Sequence, residues 1–105
     1  MPKVSIIVTI YKYYDYINEC IDSVFNQTFK DFELIIVNDG SDQNISKAIK
    51  RNKFFNYNNF NFYNVPRLKR SAALNFAIKK STTDIICILD SDDLWHPKKL
   101  ETQFF

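Results

Sequence analysis

The sequence predicts an α/β fold, a mostly parallel sheet flanked by helices, built as one domain over residues 1–105. Three observations carry that prediction. Strand-length segments rich in β-branched and aromatic residues are near-continuously apolar rather than alternating, the habit of strands covered on both faces. Helical patterns separate them, and strands that alternate with helices imply parallel pairing through right-handed crossovers. The unusual polar clusters each follow a strand, which puts them at one edge of the sheet.

Taken in order, VSIIVTI at residues 4–10 is the first strand. Ile17, Ile21, Val24 and Phe25 then recur at helical spacing, with Asp15 placed as the N-cap. ELIIV at 33–37 is the second strand, and 41–52 reads as a weaker, polar helix. The stretch 54–65, FFNYNNFNFYNV, interleaves asparagine with aromatics, a pattern that also suits base stacking on single-stranded nucleic acid. It contains no basic residue, so an Asn-rich turn followed by a short strand at 61–65 is preferred. Ala72, Ala73, Phe76, Ala77 and Ile78 form the next helical stripe, opened by Arg70 or Ser71. DIICIL at 84–89 is the fourth strand, and Pro97 suits the first position of a last helix. The resulting order, β-α-β-α-β-α-β plus a final helix, favours a Rossmann-like sheet with strands arranged 3-2-1-4.

Composition narrows the function. A chain of 105 residues sustains one modest core, burying roughly 60–70% of its unfolded surface. A net charge of +2 is too small to argue for nucleic acid or an anionic membrane surface as partner. Cys20 and Cys87 lie within apolar periodic segments and read as buried, reduced thiols, which points to a cytoplasmic location. No apolar run approaches the ~20 residues of a transmembrane helix. The opening MPKVSIIV lacks the long apolar stretch and small-residue cleavage site of a signal peptide. The sequon matches Asn26-Gln27-Thr28 and Asn44-Ile45-Ser46 are read as chance. Gly40 is the single glycine, so other turns must lean on Asn and Asp.

Ligands of open α/β sheets bind beyond the carboxyl ends of the strands, where the strand order reverses. There the chain places Thr9-Ile10-Tyr11, Asn38-Asp39-Gly40-Ser41, Arg67 with Arg70, and Asp90-Ser91-Asp92-Asp93. Three carboxylates within four residues repel one another unless a cation sits among them, and oxygen ligands suit Mg²⁺ or Mn²⁺. The plainer alternative is that Asp93 caps a turn while the others are solvated. The acidic loop at Asp39 favours a ligand site. Neither a GxGxxG turn nor a Walker loop is present, which removes the common nicotinamide and P-loop readings.

VSIIVTIYKYYDYINECIDSVFNQTFKDFELIIVNDGSDQ, RSAALNFAI and DIICILDSDDLWHPKKLETQ, in that order, resemble the family 2 glycosyltransferases of the GT-A fold from about Lys3 to Gln103. The resemblance implies a nucleotide-sugar-binding half. In it, Thr9 and Tyr11 pack around the base, Asp39 hydrogen-bonds it, and Arg70 is the basic donor contact. Arg67 competes with Arg70 for that last role. Asp90 and Asp92 match the DxD motif, Asp90 facing the ribose and Asp92 binding Mn²⁺ or Mg²⁺ on the diphosphate, while the role of Asp93 varies. Trp95 and Pro97 match a W-x-P that packs and starts a helix, and His96 between them is read as a surface loop residue. Leu74, Ala77 and Thr83 stand where many relatives have arginine, glycine and glycine.

The implied activity is inverting, metal-dependent transfer of a sugar, a UDP-sugar first among donors, to a hydroxyl of a glycan or lipid-linked acceptor in cell-surface polysaccharide biosynthesis. The general base is expected beyond residue 105, so the isolated chain is expected to bind donor without transferring it. A nucleotide-diphosphate-binding module is the alternative, and metal-dependent phosphoryl transfer is disfavoured because no lysine follows a phosphate loop. The full-length protein is expected to sit peripherally at the inner face of the membrane. Leu100, Phe104 and Phe105 are expected to lack cover, favouring a homo-oligomer.

Overall fold

The computed structural model describes residues 2–12, 15–40, 43–91 and 94–104. Its elements run β1 (Val4–Ile10), α1 (Ile17–Phe25), β2 (Phe32–Asp39), α2 (Gln43–Lys50), β3 (Phe60–Val65), α3 (Arg70–Lys80), β4 (Ile85–Ile88) and α4 (Lys99–Phe104). The four strands form one sheet in the order β3-β2-β1-β4, the arrangement expected from the sequence. Every pairing is parallel, with Ile10 level with Asn38, Asn38 level with Asn64, and Ile7 level with Ile88. The chain winds outward from β1 to β3, then returns to the other side of β1 for β4. The strand order therefore reverses at β1, and the carboxyl ends of β1 and β4 flank the crevice.

The two-residue period of the strands sorts side chains between two cores. Val4, Ile6, Val8 and Ile10 of β1, with Leu34 and Ile36 of β2, pack beneath α1 and α2 through Ile17, Cys20, Ile21, Val24, Ile45 and Ile49. Ile7, Ile35 and Val37 face the other way, against Ala73 and Ala77 of α3. Each isoleucine fully removed from water contributes about 1.5–3 kcal/mol, so these two layers hold the sheet. Glu33, Ile35, Val37 and Asp39 thus share the α3 face, with a carboxylate at each end of β2. At the amino end Glu33 is satisfied by Ser5 Oγ (2.6 Å), Thr82 N (2.8 Å) and Thr82 Oγ1 (3.0 Å).

Several local expectations change. Asp15 does not cap α1: the cap is Tyr16, at φ −110° and ψ 12°, without a side-chain bond. The buried stripe of α3 is Ala73 and Ala77, with Ile78 exposed, because two alanines four residues apart let the helix lie close on the sheet. α4 begins at Lys99 rather than at Pro97. Leu100 is fully buried in the α1 core rather than uncovered. Cys20 is buried but Cys87, on the edge strand β4, is only half-buried. The Asn-rich segment folds as turns: Asn52 Oδ1 accepts from Phe54 N at 2.9 Å, and Asn59 Nδ2 donates to the Phe32 carbonyl at 3.0 Å. Two of its aromatics turn inward, Phe54 stacking on Phe25 at 4.6 Å between centroids and Phe60 at 5.8 Å, while Tyr57 is exposed.

Candidate functional site

Alternation along β2 brings Asp39 to the α3 face at the strand's last position, where it is 1% exposed. Gly40 follows with φ +75°, and its amide donates to the Val65 carbonyl at 2.9 Å. A Cβ at residue 40 would lie 2.7 Å from the N, Cα and Cβ of Arg67, so the turn brings the Arg67 main chain against bare backbone. That approach delivers two donors to one carboxylate. Leu68 N bonds Asp39 Oδ1 at 2.6 Å, and Arg67 Nη1 pairs with Asp39 Oδ2. The guanidinium also lies over the Tyr11 ring, its Cζ 3.6 Å from the centroid. Two non-glycine residues beside this cluster, Lys12 and Lys69, adopt φ +71°, a conformation that costs roughly 1–3 kcal/mol and persists where its surroundings impose it.

Arg70 opens α3 directly after Lys69, and no side chain caps that helix start. Its guanidinium lies 3.5 Å from Asp90 Oδ1, with the two side chains 63% and 55% exposed. A pair so solvated contributes about 0–1 kcal/mol and leaves both groups free to take a ligand. The tip of β4 is held from below, where Cys20 Sγ donates to the Asp90 carbonyl at 3.7 Å. Thr9, Ile10, Tyr11, Asp39, Arg67, Arg70, Asp90 and Ser91 together line a cavity of about 440 Å³ at the carboxyl edge. Five residues singled out in the sequence, Thr9, Tyr11, Asp39, Arg70 and Asp90, therefore meet in one place. Arg67 joins them, on the side of Asp39 and Tyr11 rather than beside Arg70.

Asp92 and Asp93 lie outside the described residues. Among the described residues no three His, Cys, Asp or Glu side chains gather as a metal cage. Asp90 supplies an exposed hard oxygen donor in the cavity, of the kind that suits a hard divalent cation holding few protein ligands. The segment beyond is anchored by a residue that carries no motif. Gln27, fully buried, donates Nε2 to the Ser23 and His96 carbonyls (3.1 and 2.8 Å) and accepts from Leu100 N at 3.0 Å. Thr28 N adds a bond to the Pro97 carbonyl at 2.8 Å. The available signal was position: Gln27 falls three residues after Val24, in line with the buried stripe of α1 and just past the helix end at Phe25. Trp95 packs against the core beside this anchor, and His96 is exposed.

Residues 5–104 match the family described as Glycosyl transferase family 2. The O-antigen biosynthesis glycosyltransferase WbnJ of Escherichia coli is 38% identical over 105 residues, covering 99% of this chain and 41% of that protein. The crystal structure of S. aureus TarS 1-349 in complex with UDP-GlcNAc superposes with a TM-score of 0.81 at 28% identity, covering 95% of this chain and 29% of that one. The mannosyltransferase PcManGT from Pyrobaculum calidifontis, in complex with GDP-Man and Mn²⁺, gives 0.74 at 27% identity over 90% and 28% of the two chains. The chain spans 14% of one curated relative, a Rickettsia bellii glycosyltransferase, and 41% of WbnJ. No described helix is long and apolar enough to cross a membrane. With its 3-2-1-4 parallel sheet and its polar cavity at the strand tips, this chain belongs to glycosyl transferase family 2 and has the GT-A fold of that family.

Proposed function

We propose that residues 1–105 are the donor-binding part of a glycosyltransferase that moves a sugar from a nucleotide-sugar to an acceptor hydroxyl, with inversion, in cell-surface polysaccharide synthesis. The observation that carries this reading is the convergence of Thr9, Tyr11, Asp39, Arg70 and Asp90 on one cavity at the reversal of strand order. Tyr11 offers an aromatic face and Asp39 a buried acceptor, a pair suited to a nucleobase with a flat ring and an N–H edge. Thr9 closes the floor of that subsite. Asp90, exposed at the β4 tip, accepts from ribose hydroxyls. Arg70 presents a solvated guanidinium to the diphosphate and stabilises the charge that grows on the departing nucleoside diphosphate. Mn²⁺ or Mg²⁺, held through Asp92, would offset diphosphate charge beside the aspartates.

A UDP-sugar is the first choice of donor, supported by the likeness to a TarS complex with UDP-GlcNAc, and hexosyl transfer by the likeness to PcManGT with GDP-Man. The acceptor is a glycan or lipid-linked hydroxyl, in keeping with the O-antigen role of WbnJ. The only carboxylates among the described cavity residues, Asp39 and Asp90, serve the donor in this reading, so none is spare as general base. The 105-residue chain on its own therefore binds nucleotide and transfers nothing. Calorimetric titration with UDP tests this: binding with Mn²⁺, little with EDTA, and no Mn²⁺ dependence in Asp92→Asn are expected. Equal affinity with EDTA and with Mn²⁺ would remove the metal, and sugar transfer by the purified chain would overturn the division of labour.

A further inference from the structure

We propose that Arg67 is an intramolecular competitor of the donor's nucleobase, holding the Tyr11 face and one Asp39 oxygen that the base must take over. The inference rests on the donor-binding reading above and adds to it the residue that sets how tightly bases enter. A guanidinium is a flat array of N–H donors. The Watson–Crick edge of uracil is flat as well and offers one such donor, N3–H, and that of guanine offers N1–H and N2–H. Arg67 satisfies both requirements of that subsite at once: its Cζ lies 3.6 Å from the Tyr11 ring centroid, and its Nη1 pairs with Asp39 Oδ2.

The other Asp39 oxygen is fixed differently. Oδ1 accepts from the main-chain amide of Leu68 at 2.6 Å, a bond that turns the carboxylate and does not depend on the arginine side chain. Oδ2 is thus the exchangeable position, on a carboxylate that is 1% exposed with Arg67 in place. The arginine is built to leave. Its side chain is 40% exposed, on the connection between β3 and α3 rather than within either element. Its main chain is pinned against Gly40, so the exchange is a swing of the side chain alone. A base able to donate N–H to Oδ2 replaces both interactions, whereas cytosine, whose N3 only accepts, replaces them less well. Arg67 therefore raises the threshold for every base by the same factor, and the match to Oδ2 ranks the bases.

Titration of the 105-residue chain with UDP, GDP, CDP and inorganic pyrophosphate, each with Mn²⁺, tests the proposal. Removing a competitor that fills the site nine-tenths of the time tightens binding about 10-fold. Arg67→Ala is thus expected to bind UDP, GDP and CDP each about 10-fold tighter, with their relative affinities unchanged, and to leave pyrophosphate unchanged. A second measurement needs no variant: the Arg67 side-chain NMR signal, shifted by the Tyr11 ring current, should move to an exposed-arginine position on adding UDP and stay put on adding pyrophosphate. Weaker UDP binding by Arg67→Ala, or an Arg67 signal that remains ring-shifted with UDP bound, would overturn competition and make Arg67 a donor contact. Unchanged UDP affinity overturns it as well. Failure of wild type and variant alike to bind any nucleotide would sink the donor-binding reading together with this one.

Discussion

Asp39 and Asp90 are both aspartates at strand tips in one cavity, yet they sit in opposite electrostatic circumstances. Asp39 is buried and takes bonds from Arg67 and Leu68, while Asp90 meets Arg70 in solvent. Asp39→Asn keeps an acceptor for Leu68 N–H but turns an amide N–H₂ toward the Arg67 guanidinium. The expected loss is about 1–3 kcal/mol of stability in urea denaturation, together with UDP binding. Asp90→Asn removes only a solvated pair and should leave the urea midpoint nearly unchanged while weakening UDP. A midpoint that fell equally for both would mean the cavity does not distinguish them. The sequence made these two residues legible because each ends an apolar strand run, and period two fixes their face. The stacking of Arg67 on Tyr11 was not legible, since it depends on the path of the β3–α3 connection, where Lys69 adopts a φ that its residue type does not announce.

Among the elements, α1 does more than cover the sheet, because its C-terminal turn holds the segment that follows the acidic cluster. Gln27 is the only side chain described that bonds to both His96 and Leu100. Gln27→Ala leaves the buried Leu100 N–H without its acceptor, which is expected to cost about 2–3 kcal/mol and to speed amide exchange at Leu100. Exchange at Leu100 as slow as in wild type would show that the bond is dispensable. Strand order could be read from the sequence because hydrophobic runs and crossover handedness leave few topologies open. Helix ends could not. Asp15 suits a cap by type, but the main chain at Tyr16 starts the helix without a side-chain bond, and Pro97 precedes α4 rather than opening it. Burial of Leu100 was missed for a related reason: its cover comes from α1, far away in sequence, through a glutamine with no motif of its own.

On the scale of the whole molecule, the edge strand β4 couples stability to alkaline pH. Burial pushes the Cys87 thiol above its ordinary value, with the nearby Lys99 charge partly opposing it. An acid raised in this way stays protonated in the folded chain after the unfolded one has ionised. Its contribution is whole below the unfolded thiol's pKa and declines as the pH climbs from there toward the folded one. Urea midpoints should therefore fall as the pH rises past about 8.5, the ordinary thiol value, in wild type, and fall less in Cys87→Ala. Identical slopes for the two proteins would assign the loss to other groups. The parallel pairing of β1 with β4 has a mechanical consequence. Val4 through Ile7 lie level with Ile85 through Ile88, and Leu89 N adds a bond to the Ile7 carbonyl at 2.9 Å. Handles fixed at Lys3 and Ser91 would pull these strands along their length in opposite directions, loading the whole ladder in shear. Handles at Asn61 and Ile86 would pull across the sheet and open its ladders one bond after another. A single-molecule stretching experiment should find the first direction markedly stronger than the second, so the sheet resists force most along the line from its amino edge to the rim of the cavity.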